Sequence, residues 1–317
     1  MKEWRDSMGA GGLGNGIGYL PSLSVSKEIN AEEQLSKIEY QVFVNKTIKD
    51  YLSDSQRDVA LTSERLDALK EVLSSDMDTF KTLFGGSVRK HTYVEGLSDI
   101  DVLLILNDTD LEKKDTTYVK NYLYDNLKTK KIRDVKDIRV GVLAITIRYK
   151  DDSEIQLLPA IRKDEKFRIP GKDGKWSSLI HPEKFAKSLV NVNKENNGKV
   201  IQTIKIIKGI QSKLPEEDRL SGYHIESLAM KIFERNEKSM SHQERVLYFL
   251  ERSIDHVKKP IKDRTNQSAF VDEYLGSEDS PQRIKVSRAL EKIYSKLKVA
   301  DTIKNVDAWK SILEVRD

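Results

Sequence analysis

Phe84-Gly85-Gly86-Ser87 and, a short way downstream, Ser98-Asp99-Ile100-Asp101-Val102-Leu103-Leu104-Ile105-Leu106 form the stretch on which the reading of this chain turns. Residues 102–106 are an unbroken apolar run, the pattern of a strand buried on both faces. Asp99 and Asp101 stand two apart at its head, so strand alternation puts them on one face, roughly 7 Å apart along the strand. Two carboxylates so placed repel each other unless a cation lies between them. Magnesium or manganese suits the task, because hard divalent cations prefer carboxylate oxygen. Gly85-Gly86 permits a tight turn and close approach of a ligand to the backbone. The Ser87 hydroxyl and nearby N–H groups can then bind phosphate oxygens. The plain alternative is a glycine helix stop followed by a solvated strand start. The two halves together favour the other reading, because a phosphate-binding turn beside paired metal carboxylates is the layout of phosphoryl or nucleotidyl transfer.

Upstream, Leu66, Leu69, Leu73, Met77, Phe80 and Leu83 repeat at three and four, which predicts one helix with Ser63 as its N-cap and Gly85 as its stop. That helix would deliver the chain straight into the glycine-serine turn. Ile38, Val42 and Ile48 suggest an earlier amphipathic helix. Residues 1–30 carry Gly9, Gly11, Gly12, Gly14, Gly16 and Gly18 and read as a flexible tail, or one ordered only by packing on the body. A nucleotide-binding glycine loop is disfavoured there because no strand precedes it.

Downstream, Arg89, Lys90 and His91 flank the turn, where they meet a triphosphate or are simply solvated. Residues 116–131 read as a surface helix. Residues 138–147, rich in β-branched side chains, read as a central strand. Residues 154–160 read as another strand, ended by Pro159. After Trp176 the pattern turns helical, over 182–193, 200–214, 221–235, 241–257, 284–299 and 306–313. Val200, Ile204, Ile207 and Ile210 form one apolar side, and Lys205 and Lys208, three apart, share another. Ser221 is an N-cap or, at the positive end of a helix, a phosphate ligand. Tyr223 stacks under a base or belongs to the core. Glu226 is expected to face a basic group inside the helical part. The resulting fold class is α+β, with residues 31–180 as a strand-bearing lobe, 181–317 as a helical lobe, and the active site in the cleft between them.

Composition narrows the classes further. At 317 residues the chain can bury a large core, and 33% charged against 38% hydrophobic residues describes a globular protein. No apolar run approaches a membrane span and no signal peptide is visible. The absence of cysteine excludes disulfides and thiolate metal sites, and suits a cytoplasmic setting. A net charge of +4 is too balanced for general nucleic-acid binding. The histidines lack metal-ligand spacing, and no Walker A sequence is present.

Gly86-Ser87 followed by Ser98-Asp99-Ile100-Asp101 resembles the signature of the polymerase-beta-like nucleotidyltransferases. The closer resemblance is to the CD-NTase group, bacterial cyclic-oligonucleotide synthases related to animal cyclic GMP-AMP synthase and to oligoadenylate synthetase. Segments of similarity extend over residues 83–300, including Ile204-Lys205-Ile206-Ile207-Lys208, Leu220-Ser221-Gly222-Tyr223-His224-Ile225-Glu226, Arg162 and Arg168, Pro170 and Trp176, and a loop with Asp263 and Thr265.

The resemblance implies a magnesium- or manganese-dependent enzyme that joins NTPs into a cyclic di- or trinucleotide, releases pyrophosphate, and signals in anti-phage defence (CBASS). It implies a downstream cyclic-nucleotide effector and an activating protein partner, without membrane attachment. Gly86 and Ser87 would hold the donor phosphates and Asp99 and Asp101 the metal. Lys208 would reach the triphosphate, and Ser221 and Tyr223 would contact phosphate and base. Trp176 would anchor the junction between lobes. The family carries a third acidic residue four positions before the alanine of a Pro-Ala pair. Here that pair is Pro159-Ala160 and the position is Gln156. Glu154, on the same face, shares the task with Gln156, or two carboxylates and water suffice, or the protein binds nucleotide with weakened turnover. Nucleotidyl transfer to an RNA end or to a protein is the alternative enzyme reading, and a nucleotide-sensing pseudoenzyme the alternative from another class.

Overall fold

The computed structural model describes residues 22–54, 59–74, 80–84, 100–106, 109–171, 173–236, 238–264 and 268–313. In chain order the elements are α1 (Ser22–Asp54), α2 (Val59–Ser74), β1 (Phe80–Phe84), β2 (Ile100–Leu106), the single turn α3 (Thr109–Glu112), α4 (Thr116–Thr129), β3 (Val135–Val140), β4 (Ile145–Tyr149), β5 (Glu154–Lys163) and β6 (Lys166–Arg168). Helices α5 (Pro182–Glu195), α6 (Lys199–Gln211), α7 (Gly222–Phe233), α8 (His242–His256), α9 (Pro281–Thr302) and α10 (Val306–Leu313) complete the chain, with a short 3₁₀ turn at Glu273–Leu275.

One mixed sheet runs β1-β2-β5-β4-β3, with β6 hydrogen-bonded to β5. Among the described residues β2 and β5 pair in parallel and the other pairs are antiparallel. The apolar run of β2 is buried throughout, as its sequence predicts. Val102, Leu104 and Leu106 pack with Leu66, Leu69 and Leu73 of α2 and Val119, Leu123 and Leu127 of α4. Leu103 and Ile105 turn to the other face and meet Ala160, Phe167, Ile169 and Ile180. The Arg65 guanidinium pins α2 to the sheet, 4.1 Å over the Tyr149 ring. Burying each such Leu or Ile side chain is worth about 1.5–3 kcal/mol, so the two-sided β2 is a firm support for whatever its ends carry.

Helices α1 and α5 to α10 share a separate cluster around Ile204, Ile207, Phe249 and Trp309. Trp309 is fully buried, and its indole N–H donates to Tyr40 Oη at 3.1 Å and Asp301 Oδ1 at 3.2 Å. The Tyr40 hydroxyl donates to the same carboxylate at 2.8 Å, and burial, then Asp301, raises its pKa.

Four expectations change. The helix read from Ser63 to Leu83 begins at Val59 and stops at Ser74, and Phe80–Phe84 is strand β1. Spacing over so short an apolar run does not separate the two periods. Pairing all five residues along β2, from Phe80↔Leu106 to Phe84↔Val102, settles it. Gly85-Gly86-Ser87, which lie outside the described residues, therefore follow a strand in the sequence and not a helix. Second, residues 138–147 are two strands, β3 and β4, joined by a turn in which Gly141 N–H donates to Ala144 O at 2.8 Å. Buried Lys120 of α4 donates to the Gly141 and Val142 carbonyls and holds that turn in place. Third, β5 runs on through Pro159 to Lys163. Pro159 lies past the end of β4, which pairs only to Leu157. It thus has the edge-like setting in which a strand tolerates proline. Fourth, α1 starts at Ser22, just beyond the last of the clustered glycines, and its buried stripe Tyr40, Val44, Ile48, Leu52 lies in the helical cluster rather than with the sheet.

Candidate functional site

The first turn of α7 gathers most of the helical candidates. Ser221 is its N-cap, with extended backbone and a side-chain oxygen that accepts from His224 N–H at 3.2 Å. Lys208 arrives from α6, nine-tenths buried, with Nζ 3.1 Å from Oε1 of buried Glu226 one turn into α7. The expected basic partner of Glu226 is thus Lys208. A Cβ added at Gly222 would lie 3.4 Å from both Cε and Nζ of Lys208. The ammonium thus lies within contact range of the helix end, whose N–H groups already carry a partial positive charge. An ammonium and a helix N-terminus side by side form a receptor for anionic oxygen. Lys205 on the same helix is half-buried, and burial followed by the charge of Lys208 lowers its pKa.

Tyr223 is held at both ends. Its ring packs on Phe185 of α5 with centroids 4.7 Å apart, and its hydroxyl donates to Asp263 Oδ1 at 2.7 Å. Asp263 is buried and its other oxygen accepts from Ser268 N and Oγ, both at 3.1 Å. The loop that carried a resemblance without a derivable role therefore fixes Tyr223. Thr265 lies outside the described residues. Trp176 packs against the sheet cluster and donates its indole N–H to Lys114 O at 2.9 Å.

The sheet supplies the second group. In parallel register Asp101 of β2 pairs with Gln156 of β5, Gln156 pairs with Thr146 of β4, and Thr146 pairs with Arg139 of β3. Adjacent strands lie about 4.8 Å apart, so these four positions form one row across one face. Gln156, not Glu154, stands beside Asp101. Glu154 sits one row away, paired with Arg148, whose Nε is 3.7 Å from Glu154 Oε1. Asp101, Gln156 and Thr146 offer only oxygen donors, the set a hard divalent cation takes. Of Asp101 the backbone alone is described, and Gly85, Gly86, Ser87, Arg89, Lys90, His91 and Asp99 lie outside the described residues.

A cavity of about 550 Å³ opens elsewhere, between α1, α8 and α9, and shares none of these residues. Its carboxylates are engaged: Glu244 in the capping box of α8, Glu251 with Tyr294, and Asp301 with Tyr40, Gln243 and Trp309. Sequence reasoning missed Thr146 and Tyr274, and gave Gly222 and His224, quoted within the Leu220–Glu226 segment, no role of their own. Thr146 had no motif to mark it, and Tyr274 acts through contacts far away in the chain. Tyr274 Oη accepts from Ser221 N–H at 3.0 Å and lies 3.0 Å from His224 Nδ1. Burial holds the His224 pKa down to about 4, against the pull of Asp272.

No protein-family model matches the chain, and no curated protein does. Solved structures do. CdnC of Escherichia coli MS115-1, determined with ATP, is 13% identical with a TM-score of 0.66, over 86% of this chain and 98% of that one. CdnG, a CD-NTase of Bradyrhizobium diazoefficiens in complex with GTP, is 13% identical with a TM-score of 0.65, over 86% and 96%. The cyclic AMP-GMP synthase DncV of Vibrio cholerae, in complex with a linear intermediate, is 10% identical with a TM-score of 0.59, over 93% and 90%. No helix among the described residues is long and apolar enough to cross a membrane. At these identities the agreement is one of fold: the chain carries the fold of the cGAS/DncV-like CD-NTases, a polymerase-beta-like core with a helical lobe.

Proposed function

We propose that the protein is a magnesium-dependent nucleotidyltransferase that joins NTPs into a cyclic di- or trinucleotide messenger. The observation that carries this reading is the meeting of Lys208 with the open end of α7 at Ser221-Gly222. It sits beside a tyrosine clamped between Phe185 and Asp263. An ammonium and helix N–H groups suit a triphosphate. A fixed aromatic ring suits a base, with stacking worth about 1–3 kcal/mol and tolerant of base identity. Solved proteins of this fold hold ATP and GTP.

The strand-bearing and helical lobes face each other across the site. Gly86 and Ser87 bind the donor phosphates, and Asp99 and Asp101, with Gln156 in register beside Asp101, hold the metal. Magnesium, when bound, neutralises triphosphate charge and makes an acceptor 2′- or 3′-hydroxyl more acidic. Lys208 and the Gly222 N–H orient the triphosphate, and Tyr223 fixes the base, so that the acceptor oxygen lies in line with the α-phosphorus. One P–O bond forms, the α–β bridge breaks, and pyrophosphate and a proton leave. The same transfer, repeated once for each further nucleotide, closes the ring of two or three. The setting is cytoplasmic anti-phage signalling with a downstream effector. CdnC is known in complex with a HORMA protein, which supports an activating protein partner here as well.

One observation favours a second reading, a nucleotide-binding protein without turnover: the residue in register with Asp101 is an uncharged glutamine. Incubation with labelled NTPs and Mg²⁺ or Mn²⁺, with and without RNA, separates the readings. Cyclic product from NTPs alone, abolished in Asp99→Asn/Asp101→Asn, supports synthesis. Elongated RNA or labelled protein supports the alternative transfer, and NTP binding without product supports the sensor.

A further inference from the structure

We propose that Tyr274 and His224 are positioning residues, which set the phosphate-binding end of α7 through one directed hydrogen-bond chain. The inference rests on the reading that this helix end takes NTP phosphate.

The direction follows from what faces the far side of the imidazole. Ser221 N–H donates to Tyr274 Oη at 3.0 Å, and His224 Nδ1 lies 3.0 Å from the same oxygen. His224 Nε2 faces the Asp272 carboxylate, with Oδ2 at 3.6 Å, and a ring lone pair turned toward that charge would be repelled. The neutral ring therefore carries its proton on Nε2 and accepts from Tyr274 at Nδ1. The surroundings enforce this state. His224 is fully buried, and Nε2 finds no hydrogen-bond partner, Asp272 Oδ2 standing at 3.6 Å. A neighbouring carboxylate ordinarily draws a proton onto histidine, but Asp272 is committed elsewhere. Arg283, also fully buried, donates to Asp272 Oδ2 at 2.7 Å, and Ile261 N–H donates to Oδ1 at 3.0 Å. Arg283 also donates to the carbonyls of Val257, Asp272, Gly276 and Ser277. The groups facing His224 are thus Asp272, Arg283 and Tyr274, and the lowered pKa agrees with a ring kept neutral.

The consequence lies at Ser221. Ser221 accepts from Ile225 N–H at its carbonyl and from His224 N–H at its side chain, which tie it to the helix but leave its own N–H unaddressed. The bond from that N–H to Tyr274 fixes the peptide on the outer side of the cap. Tyr274 is 52% exposed, yet its hydroxyl is turned inward, and burial raises its pKa. The same stretch, residues 261–275, carries Asp263, which fixes Tyr223. One segment anchored on Arg283 therefore sets both the phosphate end and the base end of the site.

The test compares wild type, Tyr274→Phe, His224→Asn and the double variant Lys208→Met/Glu226→Gln. It reads Kd for a non-hydrolysable ATP analogue with Mg²⁺, the kcat and KM of turnover, and ¹⁵N shifts of the His224 ring. Tyr274→Phe keeps the ring and removes one hydrogen bond, so KM and Kd should rise about fivefold or more with kcat little changed. Wild type should show Nδ1 unprotonated and Nε2 protonated at neutral pH. Kd within twofold of wild type in both Tyr274→Phe and His224→Asn, or a ring protonated on Nδ1, overturns the chain. If the Lys208 double variant also binds as wild type does, the phosphate reading of α7 fails with it. If only that double variant loses binding, the phosphate reading stands and the chain alone is refuted. Should Tyr274→Phe misfold, the ring shifts and the His224→Asn constants decide.

Discussion

Lys208 is asked to be two things, half of a buried ion pair and a ligand for triphosphate, and mutation can separate them. Replacing Lys208 with Met alone leaves the Glu226 carboxylate, 1% exposed, without the ammonium 3.1 Å away. Breaking a buried pair from one side costs about 3–5 kcal/mol, a large part of the roughly 5–15 kcal/mol that holds a domain folded. Urea denaturation should show the midpoint falling by roughly 1–2 M. The double variant Lys208→Met/Glu226→Gln removes both charges and keeps both shapes, so most of that loss should return. Nucleotide binding should not return with it. A charge-assisted contact to phosphate is worth about 1.5–3 kcal/mol, or roughly a 10- to 150-fold rise in Kd. Equilibrium binding of an ATP analogue to the refolded double variant is the deciding measurement. Wild-type affinity there would refute a triphosphate role for Lys208. A single variant as stable as wild type would refute the account of the pair itself.

What the sequence disclosed, and what it withheld, follows the range of the forces involved. The apolar run of β2 and the helices after Trp176 were legible because burial imprints a local period, and α10 runs over Val306–Leu313 as read. Ser221 as a cap and Glu226 as partner to a cation were legible because both depend on residues near in sequence or on the same two helices. The strand at Phe80–Phe84 was not, since what makes it a strand is the edge of β2, not its own pattern. The allegiance of α1 was hidden for the same reason: Tyr40 meets Asp301 and Trp309 at the far end of the chain. Within the site, the adjacency of Gln156 to Asp101 came from a resemblance and is placed here by strand register. The Ser221–Tyr274–His224 chain had no sequence signal, because a hydroxyl aimed at a backbone N–H leaves no mark on spacing.

Three further outcomes follow from the geometry. The His224 pKa is about 4 in the folded protein against an ordinary 6.5, so the unfolded chain binds more protons between those values. Its contribution to stability is fully present above the unfolded value and is lost as pH falls toward about 4, by roughly 3 kcal/mol. Urea midpoints at pH 7 and pH 4.5 should differ less in His224→Asn than in wild type, and an equal drop in both would remove histidine from the account. Tyr223→Phe should cost about 1 kcal/mol of stability through loss of its hydrogen bond to Asp263 and leave nucleotide stacking intact. Tyr223→Ala should raise the nucleotide Kd by roughly 5- to 150-fold. The last outcome concerns Gln156. Its backbone stands in register with Asp101 and Thr146 on one face, while Glu154 is drawn to Arg148 a row away. A carboxylate at 156 would add a negative donor to an all-oxygen set without moving a strand. Gln156→Asp should therefore lower the Mg²⁺ concentration needed for half-maximal pyrophosphate release and raise the rate. Glu154→Gln should leave the Mg²⁺ dependence near that of wild type. An unchanged Mg²⁺ curve in Gln156→Asp, with a shifted one in Glu154→Gln, would mean that Glu154 reaches the metal and that the register places the wrong residue beside it.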